Sequence, residues 1–120
     1  MNNFKELVVW QKEVDLAVKI YRVTADFPTS ERFALASQMQ RSAVLISSNI
    51  AEGWERGTTP EYIRFLYISK GSLYELETQI IILEKLKYIN NETFNKLSNE
   101  NTRIAMMLNK LVSKLKEKKK

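Results

Sequence analysis

Residues 57–89 read GTTPEYIRFLYISKGSLYELETQIIILEKLKYI, and this stretch decides the fold. A glycine, two threonines and a proline open it and predict a helix start, since a threonine hydroxyl can cap a free backbone N–H and proline suits the first turn. From there to Tyr88, apolar residues recur at three- and four-residue spacing with no further turn motif. The pattern predicts a helix over about 60–88, roughly 43 Å long, with Thr59 as its capping residue.

This predicted helix carries two apolar stripes, although a helix in a lone bundle needs only one. The first stripe comprises Tyr62, Leu66, Ser69, Leu73, Leu76, Ile80 and Leu83. The second stripe comprises Phe65, Ile68, Ser72, Glu75, Gln79, Ile82, Leu86 and Ile89. Surplus apolar surface on so small a domain is typical of subunit contacts. The sequence therefore predicts a central helix in a homo-oligomer.

Three further helices are predicted on either side of this stretch. Residues 5–26 also carry two apolar stripes, and they end at Phe27-Pro28 because proline restricts the residue before it. The next helix, over 31–55, has one core stripe, which comprises Ala36, Met39, Ala43, Ile46, Ile50 and Gly53. A fourth helix, over 92–116, is amphipathic, and only Asn101 interrupts its apolar stripe.

Four helices joined by short turns predict an all-α domain, an antiparallel up-down-up-down four-helix bundle over residues 1–113. Residues 114–120, KLKEKKK, form a lysine-rich C-terminal tail with +4 of the chain's net charge of +5. The lysines have two possible roles. Either their charges interact favourably with the carboxyl end of the helix dipole and keep the bundle soluble, or they form a multivalent phosphate-binding surface in an oligomer. The candidate nucleic-acid-binding residues are Lys110, Lys114, Lys116, Lys118, Lys119, Lys120 and Arg103.

Composition argues against most enzyme classes. The 120 residues include no histidine and no cysteine, so the commonest general base and the commonest metal ligands are absent. Neither a phosphate-binding glycine loop nor a nucleophile elbow is present. The amino terminus fits neither a signal peptide nor a membrane span. We expect a cytoplasmic protein with no catalytic residues, no cofactor, no metal, no membrane association and no small-molecule substrate.

Polar residues flank or interrupt the apolar stripes of the second and third helices. They are Gln38, Arg41, Asn49, Glu52 and Arg56 in the second helix, and Ser72, Glu75 and Gln79 in the third. Because buried polar groups need hydrogen-bond partners, we predict a structural polar network in which the two lines face each other or a subunit boundary. A carboxylate site at Glu52, Glu75 and Glu77 is the alternative, but helical di-iron sites use Glu-x-x-His motifs.

Gly71 lies in the middle of the third helix, where glycine costs up to about 1 kcal/mol relative to alanine. No turn motif surrounds it. We expect it to pack closely against a neighbouring helix, so that Gly71→Leu disrupts folding or assembly.

Four stretches of the chain follow a recognisable order and spacing. They are FKELVVWQK at 4–12, Phe27-Pro28 with ERFAL at 31–35, QMQRSA at 38–43 with SSNIAEG at 47–53, and KGSLYELETQ at 70–79. Together they resemble the S23, or 23S rRNA-intervening sequence, protein family. The pair NIAEG and GSxxEL is too specific for helical periodicity to imitate, whereas residues 92–120 match no pattern of the family.

The resemblance implies a bundle that assembles as a homopentameric ring, and no enzymatic reaction is attributed to the family. A related branch comprises accessory proteins of diversity-generating retroelements, which bind a reverse transcriptase and RNA or DNA. That branch is typically basic over its body, whereas residues 1–113 are nearly neutral. We predict a non-enzymatic, homo-oligomeric adaptor for structured RNA. The alternatives are a structural or protein-binding scaffold, or an accessory subunit of a retroelement reverse transcriptase.

Overall fold

The computed structural model describes the backbone of residues 2–119 and the side chains of residues 2–30 and 34–118. Within that part of the chain there are four long helices and no strand, in a molecule that measures 49 × 22 × 20 Å. The long helices are α1 (Val8–Thr24), α2 (Ser37–Glu55), α3 (Thr59–Lys85) and α4 (Asn91–Lys119).

Short helical segments precede α1 and α2. A single 3₁₀ turn, Phe4–Glu6, is capped by the Asn3 side chain, which accepts a hydrogen bond from the Lys5 N–H at 2.8 Å. Leu7 is extended and separates this turn from α1, so the helix predicted over 5–26 is interrupted there. A helical turn over Thr29–Glu31 and a π-helical segment over Arg32–Ala36 lead into α2.

The start of α3 differs from its prediction by one residue. Thr58, not Thr59, is the capping residue, and its hydroxyl accepts a hydrogen bond from the Glu61 N–H at 3.4 Å. Thr58 has the extended backbone of a capping residue, whereas Thr59 is already helical. The negative charge of Glu61 lies in the first turn, where it interacts favourably with the positive end of the helix dipole.

Two glycines have opposite surroundings. A Cβ on Gly53 would lie 2.8 Å from the Phe65 Cβ and 3.3 Å from the Tyr62 carbonyl oxygen, so only glycine allows α2 and α3 to approach this closely. Nothing lies within 4 Å of the position of a Cβ on Gly71. The prediction that Gly71 packs against a neighbouring helix is therefore wrong within this chain, and Gly53 has that role.

A lysine with left-handed backbone ends α3. Lys87 has φ 61°, and the N–H groups of Lys87 and Tyr88 donate to the carbonyls of Glu84 and Leu83, both at 3.0 Å. These two bonds satisfy helix-end carbonyls, and the position usually holds glycine because a side chain is strained there. The helix predicted to reach residue 88 therefore ends at Lys85.

One predicted stripe of α3 is buried throughout, and the other is buried only in part. All seven residues of the first stripe are buried. Of the second stripe, Ile68, Glu75, Ile82 and Leu86 are exposed. The predicted α2 stripe is buried throughout, and Asn101 is buried within the α4 stripe. The second apolar face of α3 is therefore only partly used by the chain's own core.

Among the described residues, three side-chain hydrogen bonds inside or at the edge of the core join helices that are neighbours in the chain. Gln40 Nε2 of α2 donates to Thr24 Oγ1 of α1 at 2.9 Å. Ser69 Oγ of α3 donates to the Ile46 carbonyl of α2 at 2.9 Å, and Asn101 Nδ2 of α4 donates to the Leu73 carbonyl of α3 at 3.2 Å. Each bond satisfies a polar group inside or at the edge of the core, where an unbonded one would be costly.

Candidate nucleic-acid interface

The lysine-rich segment continues α4. Helix formers such as leucine, lysine and glutamate occupy residues 110–119 without glycine or proline, and cations favour the negative carboxyl end of a helix. Val112 is buried and Leu115 packs partly against the core, so this end of α4 is held by apolar contact. The predicted separate tail at 114–120 is helical to Lys119, while Lys120 and the Lys119 side chain lie outside the described part of the chain.

The predicted basic residues do not share one face of α4. Lys110, Lys114, Lys116, Lys118 and Arg103 are all exposed. At 100° per residue, Arg103, Lys110 and Lys114 point within about 40° of one another, whereas Lys116 points away from them by more than about 100°. Helical periodicity therefore separates a basic stripe from Lys116, which faces α3.

Lys116 meets an exposed aromatic residue of α3. Its Nζ donates a hydrogen bond to the Tyr67 hydroxyl and lies 5.1 Å from the ring centroid. An ammonium bonded to the hydroxyl lies at the edge of the ring, so it does not cover the ring face. Lys70, one helical turn after Tyr67, places its Nζ 5.3 Å from the same centroid. Two cations thus converge on a tyrosine that is 44% exposed.

The lysines change the chemistry of this tyrosine. The hydrogen bond from Lys116 is the largest cause that lowers the pKa of Tyr67, and the positive charges of Lys116 and Lys70 add to it. A phenol with a lowered pKa is a better hydrogen-bond donor, and its O–H proton remains available because Lys116 donates to the oxygen. Tyr67 and Lys70 were not among the predicted binding residues, although their spacing on one helix face could have suggested them.

Two arginines at the junction of α2 and α3 are already paired. The guanidinium groups of Arg56 and Arg64 lie 4.9 and 4.6 Å from the centroid of the Phe65 ring. Arg56 bonds Glu52 and Arg64 bonds Glu61, each at 2.7 Å. The Arg64 hydrogen bond lowers the pKa of Glu61 and keeps that carboxylate charged. These arginines contribute little net positive charge to the surface.

Arg103 lies two helical turns before Lys110 on the same stripe of α4 and also borders a second groove. It lines a groove between α1 and α4 in which basic and acidic side chains alternate, and Lys19 forms an ion pair with Glu100 there. The other residues that line the groove are Lys12, Asp15, Ile104 and Met107. Because its charges nearly balance, this groove is a weaker anion site than the lysine end of α4.

The predicted polar network does not form between α2 and α3 among the described side chains. Asn49 donates to the Leu45 carbonyl within its own helix, and Glu52 pairs with Arg56. Exposed positions are occupied by Gln38, Arg41, Glu52, Arg56 and Glu75. Ser72 and Gln79 are buried, and the Gln79 Oε1 has no hydrogen-bond partner. The Ser69 bond connects the two helices instead, and a subunit-boundary role for the exposed line stays a prediction.

Glu13 of α1 is a buried polar residue that was not among those predicted from the sequence. Its side chain is fully buried, and both carboxyl oxygens lack a hydrogen-bond partner. Burial raises the pKa of Glu13 to about 9, since a charge is poorly solvated in the core. It lies four residues after Val9 and three before Leu16, on the inner stripe of α1. That position in the apolar spacing was the available signal.

The described residues show no group of three histidine, cysteine, aspartate or glutamate side chains that could hold a metal ion. Glu52 is engaged by Arg56, and Glu75 and Glu77 are exposed on α3. Across the same part of the chain, no helix combines the length and the apolar character needed to cross a membrane.

Comparisons with known proteins agree with the motifs, and they extend the family match into α4, where the sequence had shown no family pattern. The family model described as 23S rRNA-intervening sequence protein matches residues 5–110. A solved structure of a protein of unknown function from the S23 ribosomal protein family of Bacteroides thetaiotaomicron is similar in fold, with a TM-score of 0.79 and 26% identity. The match covers 88% of this chain and 98% of that one. The comparison with curated proteins found no match.

Proposed function

This chain belongs to the 23S rRNA-intervening sequence protein family, and from that premise we propose that it is a non-enzymatic, homo-oligomeric adaptor that associates with structured RNA. The observation that carries the proposal is the group of exposed lysines on the last turns of α4, at Lys110, Lys114, Lys116 and Lys118. Phosphate contacts by such cations supply most sequence-independent affinity for nucleic acid. Contacts of lysines with phosphates do not distinguish one RNA sequence from another.

We infer an antiparallel up-down-up-down bundle as the scaffold that presents these lysines. Along α2 from Ile46 to Gly53, the contacting residues on α3 run backward from Ser69 to Phe65. A short turn with Gly57 in the left-handed region connects the two helices, as expected for antiparallel neighbours. Along α4 from Asn101 to Lys116, the bonded residues on α3 likewise run backward from Leu73 to Tyr67. These contacts support a bundle in which the amino end of α3 lies near the carboxyl end of α4.

The assembly we propose is a ring of identical chains, pentameric by the family resemblance. One apolar surface on α3 is formed by Ile68, Ile82 and Leu86, which are 39–50% exposed. A second, between α1 and α2, is lined by Val14, Ala17, Val18, Tyr21, Arg22, Ala25, Val44 and Ser47. Two unlike apolar surfaces on one chain favour head-to-tail contacts, which form a ring when the rotation from chain to chain closes. A native mass equal to one chain at micromolar concentration would contradict this.

The RNA association is tested with two matched variants of the α4 lysines. In one, Lys110, Lys114 and Lys118 become glutamine; in the other they become arginine, which keeps the charge. The glutamine variant should bind a structured RNA more weakly, and its salt slope should fall by about 0.7–0.9 for each phosphate that the protein no longer neutralises. The arginine variant should bind like the wild type. Equal binding by all three proteins would refute the assignment of these lysines.

A protein-binding scaffold is the second candidate, and the exposed apolar surfaces of α1, α2 and α3 favour it. In that case the lysines only keep the assembly soluble. A gel shift with structured RNA at low and at physiological salt separates the two functions. No shift at either salt concentration supports the scaffold.

A further inference from the structure

Tyr67 combines three features that a nucleotide can use. Its ring is 44% exposed, and Lys116 meets its hydroxyl at the edge, so the ring face is not covered by that cation. Lys70 lies on the same helix, 5.3 Å from the ring centroid. Aromatic rings flanked by cations bind unpaired nucleotides because bases stack on the ring and phosphates pair with the cations.

The surface next to Tyr67 is open. Gly71 follows one turn later on the same face of α3, and no atom lies within 4 Å of where its Cβ would be. A side chain at residue 71 would stand beside the Tyr67 ring, so the glycine leaves room there for a flat ligand.

The charges around this position are also suited to a phosphate. Lys70 and Lys116 bring two positive charges to Tyr67, and the phenol O–H can donate a third hydrogen bond. Glu61, the acidic residue of α3 nearest to Tyr67 in the sequence, is already paired with Arg64. An anion at the Tyr67 edge therefore meets cations that no described carboxylate neutralises, which is the complementarity that phosphate recognition requires.

We propose that Tyr67, Lys70 and Lys116 form a site for one unpaired nucleotide, in which the base stacks on the Tyr67 ring and the two ammonium groups hold the adjoining phosphate. The proposal rests on the proposed association with RNA and assigns part of that surface to α3. Structured RNA offers such nucleotides in loops, bulges and ends, where bases are free to leave the stack. A duplex lacks them and engages the same lysines through phosphates only.

A second copy of this chain is the competing occupant, since α3 also carries the apolar surface at Ile68, Ile82 and Leu86. On the helical wheel that surface is centred about 90° from Tyr67, whereas Lys70 lies on the opposite side of the tyrosine. Two lysines at a subunit contact would need carboxylates on the other copy. A nucleotide supplies its own negative charge, so the observations favour the nucleotide.

The test measures binding of a fluorescent oligouridylate of about 12 nucleotides, a length within known single-strand site sizes, and of an RNA duplex of similar length. Wild type is compared with Tyr67→Ala, Tyr67→Phe and the control Tyr74→Ala. Tyr74 is equally exposed and has no lysine against its ring among the described contacts. All variants are first compared with wild type by native mass and helical content.

Tyr67→Ala should weaken oligouridylate binding about tenfold or more and change duplex binding by less than about twofold, because only unpaired bases stack on a side chain. Tyr67→Phe keeps the ring and loses the hydroxyl, so it should weaken both ligands and retain the preference for oligouridylate over the duplex. Tyr74→Ala should bind like the wild type. Separate Lys70→Gln and Lys116→Gln variants should weaken both ligands and reduce the salt slope by up to about one each.

Each of the following outcomes would refute the proposed nucleotide site at Tyr67. Equal weakening of duplex and oligouridylate binding in Tyr67→Ala means a phosphate contact only. Unchanged oligouridylate binding in Tyr67→Ala, with weakened binding in the α4 lysine variants, refutes the Tyr67 site and leaves the proposed RNA function standing. Absence of binding by the wild type refutes both. A changed native mass in Tyr67→Ala assigns the residue to a subunit contact instead.

Discussion

Replacing the buried carboxyl of Glu13 by an amide should change how stability depends on pH. Burial raises the pKa of Glu13 from 4.5 to about 9 in the folded chain, and neither oxygen has a hydrogen-bond partner. The folded chain therefore keeps this proton up to about pH 9, whereas the unfolded chain releases it near pH 4.5. Stability is fully present below that lower pH and falls as pH rises toward 9.

The magnitude follows from the difference in proton binding. Each pH unit between the two pKa values costs about 1.4 kcal/mol of stability, so at pH 7 the protonated, buried Glu13 costs about 3 kcal/mol relative to pH 4.5. Glu13→Gln is neutral in both states and has nearly the same shape. Its stability should equal that of the wild type near pH 4.5 and exceed it by about 3 kcal/mol at pH 7.

Urea unfolding at fixed protein concentration from pH 4.5 to pH 8 measures this difference, since an oligomer's stability depends on concentration. Glu77→Gln, which changes an exposed carboxyl of α3, is the matched control, and its difference from wild type should stay constant. The reasoning fails if the stability difference between Glu13→Gln and wild type is the same at every pH. That result would mean that Glu13 is ionised in the folded protein as it is in the unfolded chain.

Four further substitutions test the packing by thermal and urea unfolding. Gly53→Ala should destabilise the folded protein by about 1–3 kcal/mol because its Cβ would lie 2.8 Å from the Phe65 Cβ. Gly71→Ala should stabilise it by up to about 1 kcal/mol. Equal effects of the two substitutions would contradict the close approach at Gly53. Lys87→Gly should stabilise by up to about 1 kcal/mol, because glycine tolerates φ 61°, and a decrease in stability would show that the lysine side chain matters. Ser69→Ala should cost about 0.5–1.5 kcal/mol for its hydrogen bond to α2, and no change would leave that bond without a stabilising role.

Helical periodicity predicted the helices well because it reflects burial directly. The stripe from Tyr62 to Leu83 and the stripe from Ala36 to Gly53 are both buried. Helix ends were less predictable, since they depend on single residues. Thr58 rather than Thr59 caps α3, and Lys87 ends it with a backbone conformation that its side chain disfavours.

Polar residues were harder to place than apolar ones. A helical wheel gives the direction of Asn49 and Glu52, but it cannot show that each is satisfied within its own helix. Two of the bonds that do join helices come from Ser69 and Asn101, which the pattern placed inside apolar stripes. Tyr67 and Lys116 are 49 residues apart, and only the packing of α4 on α3 brings them together.

The most direct test of the central claim is the salt dependence of RNA binding by the wild-type chain. Anisotropy of a labelled structured RNA, measured from about 50 to 200 mM salt, gives the slope of log K against log salt. If three or four lysines of each bound chain contact phosphates, the slope should be about −2 to −4 or steeper in an oligomer, and it should become shallower in the Lys110, Lys114 and Lys118 glutamine variant. A slope near zero, or no binding at about 50 mM salt, would contradict the account.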